Sequence, residues 1–367
     1  MKILNEILFD SKQLKQIYLP IILRIENFAD RNVYISLLEK NMVSFVNDEI
    51  YEQLKELIKI ENPSKSFNED DLEKLIFKHI KDTKLEEYGV WVYYPWIKHL
   101  VHTLDEEEFI KVRTNRNQHK ITSEEQEVLN KKKIGIIGLS VGHSVALTLA
   151  VERVCGELRL ADFDTIELSN LNRIRTGVKH IGIKKAIVVA REVSEIDPFI
   201  KIKIYEEGIN NYNLHNFLCE EGHIDILVEV CDNISIKIES RYAAKKSKIC
   251  VLMDTNDRGM LDIERFDLNS SLEILHGLLG KDEIKTHNIS NEEKWSYISK
   301  ILDIENISEQ LKFSIQEIGK SIRAWPQLAS STTLGGAVTT DIARKILLKK
   351  HFISGRFYID LDELVSL

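Results

Sequence analysis

The sequence predicts an α/β protein: a Rossmann-like, mostly parallel sheet with helices on both faces, plus an N-terminal, mainly helical module. Three observations carry this. Short apolar runs alternate with helical patterns across residues 131–267. The first run ends in a glycine turn, Gly138-Leu-Ser-Val-Gly142. Polar and charged residues then recur where later runs end. Apolar runs separated by helices imply crossover connections and parallel strands buried on both faces.

Lys133-Ile-Gly-Ile-Ile137 reads as the first buried strand, followed by the turn and a helix over 144–154. Glu157-Leu-Arg-Leu-Ala-Asp162 reads as the second strand. A helix over 184–196, a strand over 201–205, an apolar strand over 224–230, a helix over 235–246 and a strand over 250–253 follow. Residues 1–110 form the N-terminal module: Leu14, Ile17, Tyr18 and Ile21 share one helical face, as do Leu54, Leu57 and Ile58. A helix over 70–80 stands behind a capping aspartate, and Tyr88-Gly-Val-Trp-Val-Tyr-Tyr-Pro-Trp96 is extended. Residues 111–367 make the second domain, with a nucleotide-binding core at 131–267 and a mixed region at 268–367. In the latter, residues 272–303 show no clean period, 308–322 and 334–349 read as helices, and 356–360 as a final strand. Small residues Gly335, Gly336 and Ala337 mark the second of these helices as closely packed.

The chain has 367 residues, 43% hydrophobic and 29% charged, with a formal net charge of -8. That argues against a global basic field for nucleic acid. No stretch reaches the roughly 18–20 apolar residues of a membrane span. Cys155, Cys219, Cys231 and Cys250 are scattered, with no CxxC pair, which argues against a disulfide framework or structural zinc and for a reducing cytoplasm.

Main-chain N–H groups at a glycine turn and the following helix N-terminus form an anion site. Gly138 permits the sharp turn and Gly142 a close backbone approach. Ser140 and His143 stand where a GxGxxG pattern has its second and third glycines; His143 either donates to a phosphate or faces solvent. Asp162 ends the second strand, where a carboxylate accepts ribose hydroxyls. Beyond it lies a polar cluster, Asp162-Phe-Asp164-Thr-Ile-Glu-Leu-Ser-Asn170-Leu-Asn-Arg173. Arg173 offers a planar cation for phosphate oxygens, and Lys185 can reach the same phosphates from the start of the next helix. Asp232, after the strand 224–230, suits Mg²⁺, which favours one or two carboxylates plus phosphate oxygens. Together these residues suit the triphosphate of ATP.

The segment 162–173, its spacing to Lys185 and Asp232, and Arg113-Thr-Asn-Arg116-Asn closely resemble the ThiF/MoeB/HesA family, bacterial relatives of ubiquitin-activating enzymes. Gly138-Leu-Ser-Val-Gly142 and Asp257-Arg-Gly-Met-Leu-Asp-Ile-Glu-Arg-Phe-Asp267 resemble most a bacterial ThiF-like subgroup with a helical N-terminal extension. The resemblance implies an ATP-dependent adenylyltransferase that activates a carboxylate, often the C-terminus of a small ubiquitin-like protein or a peptide, as an acyl adenylate with release of pyrophosphate. It implies that Asp162 binds ribose with Asp164 beside it, that Asn170, Arg173 and Lys185 contact phosphates, and that Asp232 holds Mg²⁺. It also implies a homodimer in which Arg116 reaches the ATP of the other subunit. Cys231 is the best placed cysteine for an acyl transfer, but reads first as a small hydrophobe at a strand end. Two other readings stay open: an NAD(P)-linked oxidoreductase, which leaves Arg173, Lys185 and Asp232 unexplained, and a non-catalytic scaffold that kept the fold.

Overall fold

A computed structural model describes residues 14–280, 284–287 and 289–365. They form two compact units. One holds the described residues up to Ser123 together with Ser194–Phe199; the other holds Glu124–Val193 and the described residues from Ile200 onward.

The first unit contains β1 (Ile21–Leu23), α1 (Phe28–Glu39), β2 (Phe45–Asp48), α2 (Ile50–Glu61), α3 (Glu69–Ile80), β3 (Val90–Tyr94), β4 (His99–Thr103) and α4 (Glu106–Arg113). It is mainly helical, and its strands form one sheet in the order β1-β3-β4-β2. Ile50, Leu54, Leu57 and Ile58 repeat at helical spacing, so one face of α2 is apolar; that face is buried with Leu72, Ile76 and Ile80 of α3. The cap of α3 is Asn68, whose side chain accepts from Asp71 N at 2.8 Å, where an aspartate was expected; an asparagine directly before the first helical residue reaches the third N–H. The helical face through Leu14, Ile17, Tyr18 and Ile21 is also corrected. Ile21 opens β1 and pairs with Tyr93, because Pro20 lacks a donor and disfavours helix at the residue before it. The part of that expected helix before Leu14 lies outside the described residues. The extended segment 88–96 forms β3, with Trp91 and Tyr93 buried on one face and Val90, Val92 and Tyr94 on the other.

The second unit is built on a seven-stranded sheet. Its elements are α5 (Ser123–Leu129), β5 (Lys133–Ile137), α6 (Gly142–Glu152), β6 (Glu157–Ala161), α7 (Lys185–Ile196), β7 (Lys201–Tyr205), α8 (Leu214–Cys219), β8 (Ile226–Glu229), α9 (Ile234–Lys246), β9 (Cys250–Asp254), β10 (Leu261–Glu264), α10 (Asn291–Ile301), α11 (Glu309–Glu317), α12 (Ala329–Leu347), β11 (Gly355–Phe357) and α13 (Leu361–Val365). The strand order is β11-β10-β9-β8-β5-β6-β7. The five strands from β9 to β7 run parallel, whereas β10 and β11 add antiparallel. The chain starts at β5, fills one side to β7, then returns to β8 on the other side. Strand order therefore reverses between β5 and β8, where open α/β sheets leave a crevice at their carboxyl ends.

Three features were not anticipated. β10 lies inside the segment read as a motif, and α10 lies in the region without a period, capped by Ser290 and Glu293 reciprocally. The third is a buried charge network. Glu229 accepts from Lys237 Nζ at 2.9 Å and Arg241 Nη1 at 2.5 Å, and Arg241 Nε donates to Glu264 at 2.6 Å. Burial alone would raise the Glu229 carboxyl; Lys237 and Arg241 outweigh it and hold it below its ordinary range. No helix among the described residues is long and apolar enough to cross a membrane.

Replacing Arg241 with Met strips two buried carboxylates of their shared partner. We expect a loss of about 3–5 kcal/mol in unfolding free energy, measured by urea denaturation; a loss under about 1 kcal/mol would mean that the network contributes little to the sheet.

Candidate functional site

The site is assembled where β5, β6, β8 and β9 end. Gly138 follows β5 with φ +92°, and a Cβ there would lie 2.8 Å from Cys231 N and 2.9 Å from Val230 C. Only glycine accepts both the left-handed backbone and that approach. Gly142 is also tightly packed: its missing Cβ would lie 2.7 Å from Ile136 Cγ2, so it seats α6 on β5.

Asp162 follows β6 and is mostly buried. Its Oδ2 accepts from Leu139 N at 2.7 Å and its Oδ1 from Asp164 N at 2.8 Å. Burial raises its carboxyl above the ordinary range, against the opposing pull of Lys185 and these two N–H groups. A carboxylate has about four acceptor positions, so two remain free. Lys185, at the start of α7, is buried and donates to Asp164 Oδ2 at 2.8 Å.

The Ser-Asn-Leu-Asn-Arg segment forms a turn of 3₁₀ helix over Leu168–Asn172. Asn170 is buried, and its Oδ1 accepts from Glu167 N at 3.0 Å, so it shapes this turn. Arg173 then swings back to the glycine turn, donating from Nε to Ser140 Oγ at 2.9 Å. Burial lowers its guanidinium below the ordinary range while Asp232 opposes the shift; arginine remains a cation regardless. The Asp232 side chain is exposed and, among the described residues, has no hydrogen-bond partner. It lines a cleft of 1090 Å³ with Ser140, Arg173, Cys231 and Asp254. Among the described residues no cluster of His, Cys, Asp or Glu forms an all-protein metal cage. One free carboxylate beside an arginine fits a metal completed by phosphate oxygens.

Sequence reasoning therefore sees two linked groups brought together: Asp162, Asp164 and Lys185 beyond β6, and Ser140, Arg173 and Asp232 along the cleft. Arg116 is exposed on a short 3₁₀ turn, Asn115–Asn117, of the first unit. Neither alternative for His143 fits. It is buried, with Nε2 2.6 Å from Glu192 Oε2, because the first turn of α6 directs it at α7 rather than at solvent. Cys231 is half-buried; burial and then Glu229 push its thiol far above the ordinary range, which suits a packing residue. The cleft walls from 255 onward were the least legible. Asp257 accepts from Ser308 N at 2.9 Å and Oγ at 2.6 Å, Arg258 donates to Asp360 at 2.5 Å, and Asn172 Nδ2 donates to Gln327 O at 2.7 Å. These contacts draw the loop around Trp325 and the start of α11 to the cleft, and only the charged Asp257-Arg258 pair signals them in sequence.

The fold and site define a Rossmann-type nucleotide-binding unit of the doubly wound kind. Residues 113–255 match the ThiF family, and the chain carries a domain of that family. It is similar to the uncharacterized protein MT1398 of Mycobacterium tuberculosis, with 41% identity over 279 residues, 76% of this chain and 39% of that protein. It is also similar to the adenylyltransferase and sulfurtransferase MOCS3 of Dictyostelium discoideum, 33% identical over 129 residues, 35% of this chain and 28% of that one. Among solved structures, the Escherichia coli tRNA N6-threonylcarbamoyladenosine dehydratase TcdA in complex with AMP aligns over 65% of this chain and 96% of that chain, with a TM-score of 0.47 and 15% identity. The chain thus spans well under two-thirds of the length of these two sequence relatives.

Gly138→Ala tests the turn. A Cβ at that φ, pressed on Cys231, should cost about 1–3 kcal/mol, lower the melting temperature and remove most of the thermal shift given by nucleotide. An unchanged melting temperature would mean that the turn has another conformation.

Proposed function

We infer that this chain is an ATP-dependent adenylyltransferase that activates a carboxylate as an acyl adenylate with release of pyrophosphate. The observation that carries this reading is Arg173, bound to the glycine turn through Ser140 and set with the free carboxylate of Asp232 along one cleft. Membership of the ThiF family and similarity to an adenylyltransferase support it. A hydride-transfer site needs the glycine turn and Asp162, but gives Arg173 and Asp232 nothing to do.

In this reading Asp162 holds the ribose through its two free acceptor positions, and main-chain N–H groups of the turn face the phosphates. Arg173 and Lys185 bear on the phosphates, and Asn170 keeps the loop that carries Arg173 in shape. Asp232 would hold Mg²⁺, which supplies charge neutralisation at the polyphosphate. A substrate carboxylate oxygen attacks the α-phosphorus, and the bond to the bridging oxygen of pyrophosphate breaks. No proton moves, so the protein's work is alignment and charge stabilisation. Cys231 takes no covalent part. The reaction belongs to residues 111–367, with 1–110 as an appended module. The carboxylate sits on a protein, peptide or small molecule, and in a cytoplasmic homodimer Arg116 would face the other subunit's ATP.

Isotopic pyrophosphate exchange into ATP tests this. Asp232→Ala should abolish exchange while the protein stays folded, and Arg173→Ala should slow it about 10²–10³-fold, the usual loss for one charge-stabilising donor. Cys231→Ser should leave exchange intact. Full exchange by the Asp232 variant would remove its metal role. A melting-temperature shift given by NADH and not by ATP would replace the reading with an oxidoreductase.

A further inference from the structure

Asp254 ends β9, one strand away from the β8 end that carries Asp232. It lines the same cleft and is only 5% exposed. Its Oδ1 accepts from Asn256 N at 3.1 Å. Among the described residues its Oδ2 has no hydrogen-bond partner, and neither has either side-chain amide atom of Asn256, although all three are buried. Buried polar groups of folded proteins are nearly always paired, and a buried charge without a counterion is costly. Three such atoms within three residues at a cleft wall are an unfilled set of hydrogen bonds.

Helix α12 packs directly on this carboxylate. Gly335 of α12 passes so close that a Cβ would lie 1.9 Å from Asp254 Oδ2. The strand exit is also held in unusual backbone: Asn256 has φ +64° and Arg258 φ +51°. Non-glycine residues in that region concentrate at functional sites.

No protein cation answers Asp254. The cations that line the cleft are spoken for: Lys237 donates to Glu229, Arg258 to Asp360 and Lys312 to Glu309. Arg173 is bound to Ser140 at the glycine-turn end. With no counterion, burial pushes the Asp254 carboxyl up to about 7. The cleft is therefore polarised, with a guanidinium at one end for anionic groups and an unpaired acid at the other.

We propose that Asp254 and Asn256 form a subsite for a primary ammonium group, so that the substrate of this cleft is an amine-bearing carboxylate. An ammonium brings three N–H donors and the missing positive charge. Asp254 Oδ2 and Asn256 Oδ1 accept from it, and Asn256 Nδ2 donates to an oxygen beside it. That donor argues against a bare metal ion, which needs oxygen ligands on every side. The proposal deepens the adenylation reading and rests on it for the fate of the carboxylate, but the ammonium contact itself does not require ATP.

The test uses the full chain and a series of ω-amino carboxylates of increasing length, each paired with its N-acetyl derivative. Binding is measured by calorimetry with and without Mg-ATP. At the best length, the ammonium form should bind about tenfold or more tightly than the acetylated form, as expected of a site whose polar groups are otherwise unpaired. Asp254→Asn keeps the shape and removes the charge, and the ratio should fall to about one. Asn256→Gly, which keeps the left-handed backbone, should lower it too, so the conclusion does not hang on the folding of one variant. Equal binding of the two forms by the unaltered chain overturns the proposal, as does an unchanged ratio in folded Asp254→Asn. So does Mg²⁺ alone displacing the ammonium. If ATP does not bind at all, the adenylation reading fails, and the comparison without nucleotide still decides this one.

Discussion

The Asp162 carboxylate holds the site together. Its two oxygens accept main-chain hydrogens from two different loops, Leu139 in the glycine turn and Asp164 beyond β6. Through Leu139 it fixes the turn that carries Ser140, and so the partner of Arg173. Through Asp164 it fixes the carboxylate that receives Lys185. A charge-assisted bond of this kind is roughly twice as strong as a neutral one, and it lies where water is largely excluded. In the proposed reading the same residue is both scaffold and ribose acceptor. The two tasks do not compete, because the hydrogen bonds consume only half of its acceptor capacity.

Much of this was legible in the sequence for one reason. Parallel strands must be buried on both faces, so β5, β8 and β9 appear as apolar runs, and the first polar residue after each run marks a sheet edge. Asp232 and Asp254 follow that rule, and Asp162 stands likewise at the end of β6. Gly138 was legible because a sharp turn after a buried strand calls for glycine. Helical spacing in α2 was equally readable, since Ile50, Leu54, Leu57 and Ile58 have no other arrangement that buries all four.

What stayed hidden was pairing. Leu261-Asp-Ile-Glu264 alternates as a half-exposed strand would, yet Asp262 and Glu264 are both buried. They tolerate burial only because His276, Arg356 and Arg241, all distant in sequence, reach them at 2.6–2.9 Å. Single-sequence patterns weigh each charge as solvated and cannot see such partners. His143 illustrates the same limit in reverse. A histidine at a helix N-terminus suggests an anion site, but its ring is taken by Glu192, a residue of the next helix. Gly142 is a milder case: its smallness was visible, whereas the side chain it makes room for, Ile136, emerges only once α6 is laid on β5.

The division between the parts has a consequence for specificity. The ThiF match ends at residue 255, at the point where the chain leaves β9. The residues that bind or position nucleotide in this reading, from Gly138 to Asp232, lie inside it. Asn256, the Asp257–Ser308 contact, the Arg258–Asp360 pair and the loop around Trp325 lie beyond it, and they form the rest of the cleft. Asp254 sits at the join. Chemistry common to a family requires the same phosphate-facing groups in every member, whereas choice of substrate requires groups that differ between members. A cleft with its floor in the shared segment and its walls in the remainder provides both, and in the proposed reading it places the choice of acyl group in the C-terminal third.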